Sequence, residues 1–207
     1  MSFEVWLAFV VAASVILVVP GPTNIYVVGQ SLAYGRKASV PLSIGVIVGD
    51  AMCITISLLG LSALLSVFSA IFIIIKYLGA MYLICLGFKM VLSNTKSGTL
   101  KNEAKTYNSK VLFRDVFLVN ALNPKGIIFY SAFMPQFVST QSSILVQFIV
   151  LASTFLGLAL ITVVFYSLVA SKASELFQSR KLSKAFNLTG GLSLICAGVY
   201  SATIERK

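Results

Sequence analysis

The sequence predicts an all-α membrane protein, with six transmembrane helices forming two inverted three-helix repeats and helices 1 and 4 broken by proline motifs. Three observations lead there. The first is composition: 58% of the 207 residues are hydrophobic and 11% charged, with a mean hydropathy of +0.96, against about 45–50% and about 25% in soluble domains. A chain this small has too much surface for its volume to hide that excess in one water-facing core, so its solvent is lipid. The second is six apolar runs, each near the roughly 20 residues that cross a hydrocarbon core. The third is that the links between runs alternate between basic and neutral. The same composition excludes a disordered chain, a collagen-like repeat and a disulfide scaffold.

The first run covers about Val5 to Ser31 and is interrupted by Pro20-Gly21-Pro22. Met1 to Glu4 carries no Lys or Arg, so the basic n-region of a cleavable signal is missing and the run reads as a span. The second run is about Val40 to Ser66 and the third about Ala70 to Leu92. The fourth, about Leu112 to Pro135, is interrupted by Asn123-Pro124-Lys125. The fifth is about Ile144 to Ala170 and the sixth about Ala185 to Ile204. Long continuous runs favour helices over the alternating strands of a barrel.

Arg36 and Lys37 follow run one. Lys96, Lys101, Lys105, Lys110 and Arg114, against Glu103 and Asp115, follow run three. Lys172, Arg180, Lys181 and Lys184, against Glu175, follow run five. The links near Val67–Ser69 and Gln136–Ser143 carry no charge. Basic links are retained in the cytoplasm, so both termini are expected outside, with only the tail Arg206-Lys207 in mild disagreement. The net charge of +10 then reports topology and not nucleic acid. The polar stretch from Ser93 to Ser109 divides the chain into residues 1–92, a cytoplasmic linker 93–111, and residues 112–207. Three spans per half force the second half upside down relative to the first, the topology of an inverted repeat.

Two prolines and a glycine within Pro20–Pro22 remove backbone donors and loosen the helix near mid-bilayer. The freed carbonyls must face protein or a water-lined cavity. Asn123-Pro124 does the same in the second half. Each break alone reads as a structural kink or as part of a site; paired interrupted segments point to a transporter's binding site. Asp50 lies inside span two, where an isolated carboxylate is costly. It reads either as a proton-carrying or amine-binding acid facing the bundle interior, or as a structural hydrogen-bonding acid. Gly45 and Gly49 form a small-xxx-small packing face. Lys125, near mid-depth, reads as a partner of Asp50, as a ligand for a substrate carboxylate, or as a snorkelling amine. Lys76 and Lys89 lie nearer the ends of span three and read as snorkelling. Tyr130 lies one turn past Gly126 and could reach the cavity; Tyr26, Tyr77, Tyr82 and Tyr166 read as packing or interface residues. There is no His and no CxxC, so neither a metal site nor a redox pair is expected, and Cys53, Cys85 and Cys196 read as small buried hydrophobes. One acid, one amine and two opened backbones would suit a zwitterion, and protonation of Asp50 would couple its passage to a proton gradient.

The chain resembles the LysE/RhtB-type amino-acid exporters, the LysE translocator family. The matching pieces are PGPTN at Pro20–Asn24, GRKAS at Gly35–Ser39, GVIVGD at Gly45–Asp50, LLGLSALL from Leu58, KYLGAMYLICLG at Lys76–Gly87, and NALNPKGIIFYSAFMPQF at Asn120–Phe137. They run in order over nearly the whole chain. The resemblance implies a secondary transporter exporting amino acids or close derivatives across the inner membrane by proton antiport, without cofactor or ATP, and as homo-oligomers. By motif it points to Pro20, Gly21 and Pro22, to Gly49 and Asp50, and to Asn123, Pro124 and Lys125, with Asn24 inside the first motif. Family members carry lysine, threonine, homoserine, cysteine or leucine. A single acid at depth favours a neutral amino acid, such as threonine or homoserine. Its partners would be that substrate, protons and the lipid bilayer. An enzyme is disfavoured: an intramembrane aspartyl protease needs two carboxylates, and no second acid lies in any span. A channel or a non-catalytic membrane assembly subunit is the remaining alternative.

Overall fold

A computed structural model of the protein describes residues 1–63, 69–92, 107–139, 141–173 and 180–203. Among these the chain is helical, with no strand. Helix α1 spans Phe3–Val18, with Ser2 accepting from the Val5 amide at its start. It stops because Pro20 pushes the residue before it into extended backbone: Val19 sits at φ −61°, ψ 121°. Gly21 is extended as well, and Pro22 opens α2, Pro22–Tyr34, where a missing N–H costs nothing. Gly35, at φ +64°, ends α2 in a conformation that glycine adopts without strain. A 3₁₀ turn, Gly35–Ala38, leads straight into α3, Ser39–Ala63, so the first basic link is only this turn. Helix α4 spans Ser69–Val91.

The second half repeats the device. Asn108 caps α5, Ser109–Ala121. Asn123 is extended before Pro124, which opens α6, Pro124–Ile128. The chain continues through a π turn, Phe129–Phe133, and a 3₁₀ turn, Met134–Phe137. Helix α7 spans Ile144–Ala173 and α8 spans Arg180–Thr203. The helical stretches Pro22–Leu58 and Ile144–Ala173 are long and apolar enough to cross a membrane. The pair Ser109–Ala121 and Pro124–Phe137, bent by 48°, makes a third candidate span.

The expected interruptions fall where α1 gives way to α2 and α5 to α6. Two helix starts come earlier than expected: Asn108 caps a helix from Ser109, so the end of the expected linker is helical, and α8 begins at Arg180 rather than about Ala185. The charges at Lys96, Lys101, Glu103, Lys105, Glu175 and Arg206-Lys207, the link residues 67 and 68, and the side chains of Lys76, Arg180 and Lys181 lie outside the described residues. The basic links that are described share one end. Tyr107 donates to the Lys37 carbonyl at 2.7 Å, and the turn holding Arg36 and Lys37 packs against α7.

Polarity is distributed as lipid requires. Val11, Val15, Ile44, Ile161 and Phe165 face outward, whereas Thr23, Ser31, Asp50, Asn120, Asn123 and Ser167 are buried. One packed cluster centres on Leu42, Val46, Leu83, Val116 and Leu194, the other on Phe9, Phe129, Phe148 and Phe155. Helices α4 and α8 meet backbone to backbone: a Cβ on Gly87 would stand 2.6 Å from the Gly191 carbonyl oxygen. Cys85 and Cys196 are exposed on these helices and Cys53 is half-buried, which corrects the expectation that the cysteines are core residues. The α4–α8 contact uses the glycine faces and turns those two thiols outward.

Gly45 is the tightest point between α3 and α5. A Cβ there would overlap Val116 Cγ1 and stand 2.8 Å from the Phe113 carbonyl oxygen. Gly157, on α7, has nothing within 4 Å of the same position. Overpacking costs about 1–3 kcal/mol, so Gly45→Val should lower the melting midpoint of the detergent-solubilised protein. Gly157→Ala should leave it unchanged or raise it. Thermal unfolding of the two variants side by side checks the α3–α5 seam.

Candidate functional site

Breaking α1 at Pro20 leaves a helix C-terminus whose last carbonyls have no amide partner further along the helix. Side chains from three other elements satisfy them. The Val15 carbonyl takes the Val19 amide at 3.1 Å. The Lys125 ammonium donates to the Ile16 carbonyl at 2.9 Å and the Val19 carbonyl at 2.8 Å. Asn24 Nδ2 donates to the Leu17 carbonyl at 3.0 Å and, longer, to that of Val19 at 3.4 Å. The Tyr166 hydroxyl donates to the Val18 carbonyl at 2.8 Å. A cation at a helix C-terminus also meets the negative end of the macrodipole. Gly21 makes room for this cap, since a Cβ there would stand 3.2 Å from Lys125 Nζ.

The other break is tied to Asp50, which is 4% exposed. Asp50 Oδ1 accepts from Asn120 Nδ2 and from the Tyr130 hydroxyl, both at 2.6 Å. Asn120 Nδ2 also donates to the Val46 carbonyl at 2.9 Å. Behind it runs a chain of donors. The Lys125 amide donates to Asn123 Oδ1 at 3.1 Å, and Asn123 Nδ2 to Thr23 Oγ1 at 3.0 Å. The Thr23 hydroxyl donates to Asn120 Oδ1 at 2.9 Å. Every hydrogen bond in this chain points toward the carboxylate, and aligned bonds in a low-dielectric interior reinforce one another. Gly49 lets the chain close: a Cβ there would stand 3.1 Å from Asn120 Nδ2. The π turn supports the far side, its Tyr130 carbonyl accepting from Ser57 Oγ at 2.7 Å. Cys53 donates to the Ala121 carbonyl at the end of α5 at 3.4 Å.

Between the two breaks lies a cavity of about 40 Å³. Thr23, Asn24, Asp50, Asn120, Asn123 and Lys125 form its polar wall. Ile16, Leu17, Phe129, Phe155, Ala159 and Val163 form its apolar wall. At about 10–15 Å³ per water, it holds a few waters, and an amino acid needs the bundle to open. Among the described residues no three His, Cys, Asp or Glu side chains cluster as metal ligands.

The residues singled out by sequence therefore converge, except Pro20, which is exposed and acts by ending α1. Pro22 and Pro124 are buried and start the two half-helices. Tyr130 reaches the cavity and contacts Asp50 directly. Lys125 is placed differently from the pairing considered above: its ammonium caps α1, and the ion pair among the described residues is Arg114 with Asp115 at 2.7 Å. Lys89 is exposed, as a snorkelling residue would be. Asn120, Thr23 and Tyr166 are additions. Asn120 and Thr23 sat inside the quoted motifs as buried polar residues in apolar spans, a signal strong enough to have named them. Nothing local marked Tyr166, whose role depends on where α1 ends.

The profile of the family described as LysE type translocator matches residues 14–204 of the chain. An uncharacterized membrane protein of Bacillus subtilis, YrhP, is 31% identical over 201 residues, covering 93% of this chain and 96% of its own. A leucine efflux protein of Klebsiella pneumoniae is 28% identical over 202 residues, covering 97% of this chain and 95% of its own. An uncharacterized membrane protein of Vibrio cholerae is 29% identical over 205 residues, covering 99% of this chain and 100% of its own. No solved structure matches.

Each buried carbonyl left unpartnered costs about 1–3 kcal/mol. Lys125→Met, which orphans the part-buried Ile16 carbonyl and leaves that of Val19 with only the long Asn24 bond, should lower the thermal midpoint in detergent more than Tyr166→Phe, which removes a donor from the exposed Val18 carbonyl. Equal midpoints for wild type and Lys125→Met would remove the capping role.

Proposed function

The chain belongs to the LysE type translocator family, and from that membership we propose that it is a secondary transporter exporting neutral amino acids or close derivatives by proton antiport. The observation that carries this reading is the unpaired placement of Asp50 and Lys125 on the polar wall of one cavity. Asp50 is buried and takes its hydrogen bonds from the neutral donors Asn120 and Tyr130, so a proton and a substrate ammonium compete for the same oxygen atoms. The Lys125 ammonium has three donors and uses two on α1, leaving one for a carboxylate. An anionic group there would also lie near the N-terminus of α2, where the helix dipole favours negative charge.

The opposite wall speaks to the side chain. Phe155, Ala159 and Val163 are apolar, and Thr162 donates its hydroxyl to the Leu158 carbonyl of its own helix at 2.8 Å. A neutral side chain fits such a surface, and a lysine-like second ammonium finds no acid on it. The Klebsiella relative is a leucine efflux protein, which agrees with an aliphatic side chain; threonine and homoserine remain within the same class.

In this reading Asp50, deprotonated, takes substrate from the cytoplasm and releases it outside, binds a proton there and delivers it inside. The chain crosses the inner membrane six times, as inverted repeats of residues 1–92 and 112–207 joined by the linker 93–111. Basic links lie in the cytoplasm and both termini outside. The cross-over of bonds supports the symmetry: Thr23, second residue of α2, reaches Asn120 near the end of α5, and Lys125, second residue of α6, reaches the end of α1. The protein transports and does not catalyse, and it assembles as homo-oligomers.

Proteoliposomes with an imposed pH gradient test the reading. Leucine or threonine flux should be saturable and gradient-driven, and Asp50→Asn should abolish the gradient-driven part while the protein still inserts. Unchanged coupled flux in that variant, or flux that neither saturates nor responds to the gradient, would contradict antiport. Filling the apolar wall by Ala159→Phe should lower leucine flux about tenfold relative to alanine, the scale on which pockets discriminate by size.

A further inference from the structure

Toward the basic end of the bundle lies a group of hydroxyls that the binding site does not use. Ser167 of α7 is fully buried, and its Oγ lies 2.7 Å from Ser31 Oγ of α2 and 2.6 Å from Ser39 Oγ of α3. A hydroxyl can donate once and accept twice, so Ser167 ties α2 and α3 to α7 at one point. Between these serines and the cavity, the three helices share one register. On α2 the order is Thr23, Val27, Ser31. On α3 it is Asp50, Val46, Ser43, with Ser39 one turn further. On α7 it is Ala159, Val163, Ser167. In each helix a valine stands one turn from a cavity-lining residue and one turn from a serine. Val27, Val46 and Val163 are 1%, 5% and 5% exposed and belong to one packed cluster; Val46 and Val163 also line the cavity.

A second observation stands apart from this packing. Ser43 is 6% exposed, and among the described residues its Oγ is the buried side-chain oxygen with no hydrogen-bond partner. A buried hydroxyl without a partner is unfavourable. Its place, one turn from both Val46 and Ser39, is on the straight path from the serines to Asp50. A buried hydroxyl with no protein partner in the closed bundle would be satisfied whenever water or a passing polar solute reached it.

We propose that the Val27–Val46–Val163 layer is the gate between the central cavity and the basic end of the protein, held shut by the Ser31–Ser167–Ser39 latch, and that Ser43 lies on the path it opens. The proposal rests on the transport reading above. A ring of apolar side chains closes a path by excluding water, and separation of α7 from the α2–α3 pair breaks both latch bonds together. Gly35, in the turn between α2 and α3 at φ +64°, joins those two helices so that they move against α7 as a pair.

The test uses the full chain with the two exposed thiols replaced, Cys85→Ala and Cys196→Ala, and Ser43→Cys added. Inside-out vesicles present the basic end to a membrane-impermeant maleimide, with the Ser43 parent as background. Labelling of Ser43→Cys should be slow with the latch intact and at least tenfold faster when Ser167→Ala is added; Ser31→Ala with Ser39→Ala serves as the second latch variant should the first fail to fold. Equal rates with and without the latch overturn the gate. In a second measurement, Ser31→Cys with Ser167→Cys is oxidised in proteoliposomes and leucine counterflow is followed before and after reduction. Loss of flux on oxidation with recovery on reduction supports the gate, and full flux through the cross-linked protein overturns it. Labelling needs no transported solute. Latch-dependent labelling without any flux in the parent therefore counts against the transport reading alone, whereas flux with latch-independent labelling counts against the gate alone.

Discussion

A backbone carbonyl that cannot reach water or lipid headgroups has to find a donor within the protein, and that requirement organises this bundle. Proline at position 20 ends α1, and the last carbonyls of that helix then recruit Lys125, Asn24 and Tyr166. Those donors come from the far half of the chain, from the start of α2 and from α7. The need to satisfy one helix end thus pulls both halves around a common point and fixes where the cavity lies. The same requirement at the second break is met by local backbone bonds and by Cys53. It needs no charge, and among the described residues the ammonium on the cavity wall, that of Lys125, stands at the first break.

This division of labour keeps the buried acid and the half-buried amine from neutralising each other. A direct pair would consume both charges and give a solute nothing to exchange with. Here the amine is anchored by carbonyls and the acid by Asn120 and Tyr130, and both face the same small space. The acid's donors are neutral and reorientable, as the proposed exchange of a proton for a solute ammonium on Asp50 requires. Small residues at Gly21 and Gly49 allow both anchors to close, each sitting beneath the side chain that does the anchoring.

Much of this was legible in the sequence because lipid makes polarity conspicuous. Asp50, Asn123 and Lys125 stand out in apolar runs, and a proline's effect on the residue before it is local, so both breaks could be placed from Pro20–Pro22 and Asn123–Pro124 alone. Direction and partnership were not legible. Whether Lys125 met Asp50 or a helix end depended on where the α1 carbonyls pointed, a long-range fact. Tyr166 depended on the same thing. Cys85 and Cys196 looked like core residues because an apolar helix gives no sign of which face meets its neighbour; the glycines at Gly87 and Gly191 decide that, and their pairing is visible only once α4 and α8 are side by side. The start of α5 was placed late because the polar Ser109 and Lys110 read as linker, while the Asn108 cap extends the helix to them.

The central claim is that one carboxylate, Asp50, is held in turn by a proton and by the ammonium of the solute. Proton release measures that exchange directly: purified protein in weakly buffered detergent, saturating leucine added, and the pH change recorded with a dye across the range where buried carboxylates titrate. The account predicts up to one proton released per leucine bound, with release lost in Asp50→Asn even where leucine still binds. Binding of leucine to the wild-type protein with no release at any pH in that range would contradict it.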